Sequence, residues 1–182
     1  MNIWLISDTH FSHDNIIKYC HRPFRNTYEM DNAIINNWNS LVKDDDLVYH
    51  LGDFCFISKN RQLSYKDALV ENANSLLDKL NGHIILKFGN HDRDLRKLIN
   101  QGKIKFYDCT YEEIILENKY ILTHYPLETV PDGMINIHGH IHNTPEVCAL
   151  YDKPNYFNVS IDVLNFYPIN FDKVKEIIKN VK

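Results

Sequence analysis

Cysteine is scarce in this chain and scattered. Cys20, Cys55, Cys109 and Cys148 lie far apart, and none belongs to a C-x-x-C pair. That argues against a disulfide framework or a thiolate zinc site, and reduced thiols in a cytoplasmic protein are the expected reading. An excess of positive charge is also missing: 20 Lys and Arg face 24 Asp and Glu, for a net charge of −4. Long nucleic acid is therefore not favoured as a partner, although local basic patches leave it open. Apolar runs are short. Ile3-Trp4-Leu5-Ile6 stops before Asp8 and follows no basic segment, so it does not read as a signal peptide. Nothing approaches the roughly 20 apolar residues that span a bilayer, so no membrane partner is expected. Internal repeats, low-complexity tracts and linkers are absent as well, and 182 residues fit one domain with a sizeable core.

What is present is an alternation of short strands and amphipathic helices. Strands are expected at Ile3–Ser7, Asp46–Leu51, Ile84–Phe88, Ile104–Tyr107, Glu113–Leu116, Tyr120–Thr123, Ile135–His138 and Tyr156–Ile161. Glu117-Asn118-Lys119 reads as a hairpin turn, with Asn118 suited to a positive φ. Met30, Ala33, Ile34 and Trp38 recur at helical spacing in Tyr28–Leu41, as do Leu69, Ala73, Leu76, Leu77 and Leu80 in Tyr65–Leu80. Ser64 and Asp67 form a candidate capping box, and Asn81-Gly82 a stop. Asp92 is placed to cap a short helix, and a C-terminal helix carries Phe171, Val174, Ile177, Ile178 and Val181. Helices alternate with strands early and strands dominate later. That order points to an α/β fold with a mixed sheet or two packed sheets, not a purely parallel doubly wound one.

The chemistry is concentrated where strands end. Ser7-Asp8-Thr9-His10, Gly52-Asp53, Gly89-Asn90-His91-Asp92, Thr123-His124 and Gly139-His140-Ile141-His142 each begin as an apolar run stops. In α/β sheets ligand sites lie beyond the carboxyl ends of strands, so these groups can converge on one edge. Carboxylate, imidazole and a single carboxamide suit first-row divalent metals better than calcium or a structural thiolate zinc. Asp8, His10, Asp53, Asn90, His124, His140 and His142 are too many donors for one catalytic ion. They fit two ions sharing a bridging carboxylate, an arrangement that can clamp a displacement at phosphorus.

D-x-H, G-D, G-N-H-D, a lone His after a strand and G-H-x-H, in this order, resemble the calcineurin-like metallophosphoesterase superfamily, in its small single-domain form. The resemblance runs from Ser7 to His142 and continues weakly through Asn158–Asp162. It implies two mixed β-sheets packed as a sandwich and flanked by helices. It further implies that Asp8, His10 and His142 bind one metal, that Asn90, His124 and His140 bind the other, and that Asp53 bridges them. His91 would act on the substrate phosphate and help protonate the leaving oxygen, and Asp92 would orient an imidazole. Hydrolysis of phosphate mono- or diesters by a metal-bridging hydroxide is the activity so implied, with small or cyclic nucleotides among the substrates. Manganese, iron, zinc, nickel and cobalt all suit the donors. The alternatives are a catalytically silent metal-binding scaffold on the same fold, which an intact His91 argues against, and a nuclease, which the acidic balance argues against. The partner expected is a small phosphate ester; oligomeric state is not legible.

Residues outside the motifs carry weaker signals. Arg22, Arg25, Arg61 and Arg93 are candidate phosphate contacts because a guanidinium can grip phosphate oxygens in a fork. Arg93 and Arg22 lead, against the ordinary alternative of surface arginines. His13 and His21 fall in the loop over the expected site, and His13 is a candidate substrate contact. His50 suits packing or a hydrogen bond, and His83 a turn. His138 shares parity with His140 and His142, so chemistry alone does not separate them; the family pattern selects the latter pair and leaves His138 to the core or a supporting role.

Overall fold

Leu5 and Ile6 of the first strand, β1 (Ile3–Ile6), are both fully buried, yet they belong to different apolar clusters. Successive side chains of a strand point to opposite faces, so this strand is covered on both sides. β2 (Leu47–His50) repeats the pattern, with Val48 in one cluster and Tyr49 in the other. The computed structural model describes residues 1–57 and 63–180.

One face of this first sheet is covered by helices. α2 (Thr27–Leu41) contributes Met30, Ile34 and Trp38; α3 (Tyr65–Leu77) contributes Leu69, Ala73 and Leu76; α4 (Arg93–Asn100) contributes Leu95 and Leu98. α2 starts where Asn26 accepts the Glu29 N–H at 2.9 Å, and α3 where Ser64 accepts the Asp67 N–H at 3.2 Å. Both are ordinary side-chain caps on otherwise unpaired donors. The sheet is completed by β3 (His83–Lys87), β4 (Asp108–Thr110) and β9 (Ile169–Asn170), in the order β4-β3-β2-β1-β9. Only β9 is antiparallel to its neighbour.

The second sheet has the order β5-β6-β7-β8. It comprises β5 (Ile114–Leu116), β6 (Tyr120–Leu122), β7 (Ile135–His138) and β8 (Tyr156–Asn158), with β5 antiparallel to β6 and the rest parallel. Glu117 and Asn118 both have φ near +51°, which supplies the twist that a tight hairpin requires. Leu122, Ile135, Ile137 and Val159 meet Leu5, Tyr49 and Leu51 between the sheets, and α6 (Phe171–Asn180) closes that layer with Phe171, Val174 and Ile178. The sheets are stitched where they matter for the site. The Ser7 N–H donates to Val159 O and the Ile161 N–H to Ser7 O, each at 2.9 Å. Two short helices, α1 (Asp14–Tyr19) and α5 (Pro145–Cys148), and a 3-10 turn at Ile161–Val163 complete the chain. Among the described residues no helix is long and apolar enough to cross a membrane.

Two expectations are corrected. The strand expected at Ile104–Tyr107 does not form; Ile104 and Phe106 pack under the helices, and pairing with β3 starts only at Asp108. Asp92 precedes α4, but its side chain makes no cap to the helix.

Candidate functional site

The loops beyond β1, β2 and β7 leave the strand conformation abruptly. Asp8, His10, Asp53, His140 and His142 all have φ between +48° and +71°, the left-handed region that non-glycine residues rarely occupy. Each such residue costs on the order of 1–3 kcal/mol and persists only where its surroundings over-determine it. The surroundings do so here: the Asp8 N–H donates to Gly52 O and the His10 N–H to Asp53 O, both at 3.0 Å, locking two loops side by side. Gly139 is required for the same closeness, because a Cβ there would strike Ser7 Oγ and Asp8 Oδ2.

These turns bring the expected ligands into two groups. Asp8, His10 and His142 form one and Asp53, His124 and His140 the other, the donor atoms of each lying within 4.8 Å of one another. Asp53 Oδ2 stands between the groups, 3.6 Å from His10 Nε2 and 3.5 Å from His124 Nε2. Asn90 Oδ1 joins the second group, 2.8 Å from His124 Nε2.

The hydrogen bonds leave the inward atoms free to coordinate. Asp8 Oδ2 accepts from Ser160 Oγ at 2.8 Å and from the His140 N–H at 2.9 Å, whereas Asp8 Oδ1 is buried with no hydrogen-bond partner among the described residues. Asp53 Oδ1 accepts the His91 N–H at 2.8 Å, which leaves Oδ2 facing the cluster. His124 Nδ1 lies 2.7 Å from Leu51 O and His142 Nδ1 lies 2.7 Å from Asp162 Oδ2. With Nδ1 engaged outward, each ring turns its Nε2 toward the cluster, the usual orientation for a metal-binding imidazole. Among the described residues, His10 has no hydrogen-bond partner at either nitrogen although it is buried. Orphaned buried donors and acceptors of this kind are costly, and a divalent cation would satisfy them together. The residues present fit such an ion.

The electrostatics agree. Burial, followed by the charges of Asp92 and Asp8, pushes the Asp53 carboxyl up to about 8. Burial, with His142 and Arg22 adding to it, holds His10 well below its ordinary value of 6.5. For His142 burial acts downward, but hydrogen bonds to Asp162 and Cys20 and the charge of Asp8 outweigh it and raise the ring to about 10. Three close carboxylates sharing one buried space call for positive charge.

The remaining candidates fall in different places. His91 is exposed over the cluster and is in neither ligand group; its ring lies 5.5 Å from His10 and 5.5 Å from Phe56. His13 stacks on Phe56 at 4.0 Å, on the same side. Arg93 is exposed at the start of α4, and Arg61 lies outside the described residues. Arg25 pairs with Glu29 on the surface, while His50 bonds Thr9 Oγ1 at 2.9 Å in the core.

Two roles differ from expectation. Arg22 does not face outward for phosphate. It is 4% exposed, with Nε and Nη2 on Asp162 at 2.7 and 3.0 Å, Nη1 on Thr9 O and Nη2 also on Asp8 O at 2.8 Å. Asp92 orients no imidazole. It receives the backbone N–H groups of Asp53, Phe54 and Gly89 at 2.7, 3.0 and 2.8 Å and so fixes the loop that carries Asp53. The residue that does orient an imidazole, Asp162, was not singled out. It sits just after β8 in a Ser-Ile-Asp run, and its partner Arg22 is 140 residues away, a pairing that one sequence does not reveal. His138 turns toward Tyr151 and Tyr156 instead of joining the ligands.

A family model described as calcineurin-like phosphoesterase matches residues 1–177. The chain belongs to the calcineurin-like phosphoesterase family. It is 40% identical over 185 residues to uncharacterized protein MJ1445 of Methanocaldococcus jannaschii, covering 99% of this chain and 93% of that one. It is 24% identical over 208 residues to the gene 66 protein of Mycobacterium phage L5, covering 99% and 95%. Among solved structures, a protein of unknown function from Aquifex aeolicus, AQ665, superposes with a TM-score of 0.69 at 27% identity, covering 97% and 98% of the two chains. The family model and these matches run over nearly the whole chain, so the α/β arrangement as a whole is that of a calcineurin-like phosphoesterase.

Proposed function

We propose that this protein hydrolyses small phosphate esters with two divalent cations, one held by Asp8, His10 and His142 and the other by Asn90, His124 and His140, with Asp53 shared. The observation that carries this reading is Asp53 Oδ2, 3.6 Å from His10 of one group and 3.5 Å from His124 of the other. When bound, the ions supply Lewis acidity and lower the pKa of water, which makes a nucleophile available near neutral pH. His91 is held by its backbone bond to Asp53, and its exposed imidazole meets the phosphate from the open side. There it stabilises developing charge and delivers a proton to the departing oxygen. Burial holds the His91 ring below its ordinary value, and the negative charge of a bound phosphate raises it again toward the protonated form that a general acid needs. Asp162 and Arg22 keep His142 in the tautomer that offers Nε2 inward.

The test combines metal content with turnover. Protein prepared with manganese should hold two ions per chain and hydrolyse an aryl phosphate or an aryl phosphodiester. His91→Ala should keep both ions and lose turnover by about 10²–10⁴-fold, the usual contribution of a general acid. Asp53→Asn should lose metal and activity together. Full turnover in either variant, or a chain that binds one ion at most, overturns the proposal.

A further inference from the structure

On the phosphoesterase reading, the organic part of a bound ester extends toward the open side of the cluster, because the fully buried Ser7, Asp8 and Ser160 close the inner side. The opening has two aromatic flanks. One is Phe56, whose ring lies 4.0 Å from His13, 5.6 Å from His10 and 5.5 Å from His91. The other is Tyr125, which directly follows His124. Its ring stands 4.2 Å from that of His140, tilted by 53°, and edge-on to His124 at 5.0 Å. Phe56 thus borders the ligand group of His10, and Tyr125 the group of His124 and His140.

Tyr125 is 52% exposed, although Thr123 and His124 just before it are buried. Tyr19, Tyr28, Tyr107 and Tyr111 are as exposed or more so, but among the described residues none of them meets a ligand ring. Nor does the exposed ring ride on a loose loop. The fully buried Asn136 donates to Thr123 Oγ1 at 2.9 Å and accepts the Leu127 N–H at 2.9 Å, which clamps the chain on both sides of Tyr125. Thr123 Oγ1 in turn donates to Tyr125 O, and His124 O accepts the Gly139 N–H at 3.0 Å. A bare ring on a fixed backbone lowers the ordering cost of binding. The two flanks meet different parts of an ester. As water adds to phosphorus and the P–O bond to the leaving group breaks, that group takes its proton from His91 and therefore lies on the Phe56 flank. What reaches Tyr125 is the group that stays on phosphorus, and only a phosphodiester carries one. We propose that Tyr125 is a specificity-determining residue that stacks the retained arm of a phosphodiester and selects a flat aromatic arm, aryl or nucleobase-bearing, over a small alkyl one.

The test uses two diesters with one leaving group, phenyl p-nitrophenyl phosphate and methyl p-nitrophenyl phosphate, on the manganese-loaded protein. Both release p-nitrophenol, and phenyl or methyl phosphate is the other product, so only the retained arm differs. Comparing variants by the phenyl-to-methyl ratio of kcat/KM cancels the intrinsic reactivity of the two esters. Tyr125→Ala should lower that ratio about tenfold or more, the usual loss when an aromatic stacking partner is removed, and the change should appear in KM rather than kcat. Tyr125→Phe should keep the ratio, since the ring and not the hydroxyl carries it. Equal losses on both esters, or loss of metal in Tyr125→Ala, would assign the ring to holding His124 and His140 and overturn the proposal. An unchanged ratio in Tyr125→Ala, or a ratio lost equally in Tyr125→Phe, would do the same. Those results leave the phosphoesterase reading standing, whereas no turnover of either ester by the metal-loaded wild type removes both.

Discussion

Asp162 Oδ2 lies 2.7 Å from His142 Nδ1, and the same carboxylate is gripped by the Arg22 guanidinium at 2.7 and 3.0 Å. Arg22 also reaches the carbonyls of Asp8 and Thr9. One buried arginine therefore ties the loop after β1, which carries Asp8 and His10, to the turn after β8, and through Asp162 to His142. Asp8, by its carbonyl, and His142, by way of Asp162, are both held through it.

Removing Asp162 should act on one metal position only. Partners that orient a ligating histidine typically contribute about 10–100-fold in metal affinity. Asp162→Ala should therefore weaken the ion at Asp8, His10 and His142 by that factor and leave the other ion in place. Chelator competition that resolves two sites checks this, and equal weakening of both would refute it. Arg22→Ala should be worse for the fold than for the chemistry. It strands a buried carboxylate, at a cost of about 3–5 kcal/mol, visible as a lower urea midpoint, and Arg22→Lys should recover only part because it loses the fork.

The metal-free protein should have its stability maximum near neutral pH. Asp53, raised to about 8, and His142, raised to about 10, bind protons more tightly in the folded chain. Their contribution is complete below the unfolded values and is lost as pH rises through the folded ones. His13, His50 and His138 are depressed to about 4, 3 and 4, chiefly by burial, so they act in the opposite sense and lose stability as pH falls below their ordinary 6.5. The melting temperature in chelator should thus fall from pH 7 to pH 9 as Asp53 and then His142 deprotonate, and also below about pH 6. Manganese should abolish the alkaline loss, because the ion takes over the charge that the protons had balanced. Asp53→Asn in chelator should flatten the alkaline side near pH 8, and an unchanged slope would contradict the assignment.

The parts of this site that lie in short segments were legible, and those that depend on distant partners were not. Strand ends and donor types marked Asp8, His10, Asp53, Asn90, His124, His140 and His142 as one constellation, and the fold brings six of them into two groups of three, with Asn90 beside the second. Period-2 parity failed at β7 for a definable reason. His140 and His142 have φ of +71° and +50°, so they are no longer strand residues, and His138 cannot be aligned with them by counting. Arg22 and Asp92 differ from expectation because a short motif does not show which distant groups a side chain meets. Asp92 sits in a motif next to His91, yet its partners are the backbone of a loop 38 and 39 residues earlier and the start of its own turn. The strand expected at Ile104–Tyr107 has the right composition, but its Ile and Phe are taken by the helix layer, and pairing with β3 begins only at Asp108.

Asp92→Asn is a sensitive test of how the Asp53 loop is held. Asp92 Oδ2 accepts from both Asp53 N and Gly89 N, and Oδ1 accepts from Phe54 N. An amide can keep its oxygen toward the first pair, but its NH₂ then faces the Phe54 N–H donor to donor. Loss of one buried acceptor should cost about 1–3 kcal/mol of stability. It should also lower affinity for both ions of the proposed centre, in which Asp53 is the shared ligand. Circular dichroism melts and metal content together check the two effects, and loss of stability without loss of metal would mean that the loop holds itself.

Gly139→Ala probes whether closeness of the two sheets makes the site. The added Cβ would meet Ser7 Oγ and Asp8 Oδ2, both in the loop after β1. Ser160 Oγ and the His140 N–H bind that same Asp8 oxygen, so Asp8 cannot yield without breaking one of them. Overpacking of this kind costs about 1–3 kcal/mol, and the damage falls on the ligand that both sheets hold. The variant should fold with a lowered melting temperature and should lose the ion at Asp8, His10 and His142 before the other. Gly102→Ala is the control: its φ of +70° imposes backbone strain, but an added Cβ there meets nothing within 4 Å. It should lose stability without changing metal content, which separates backbone strain in general from strain at the junction of the sheets.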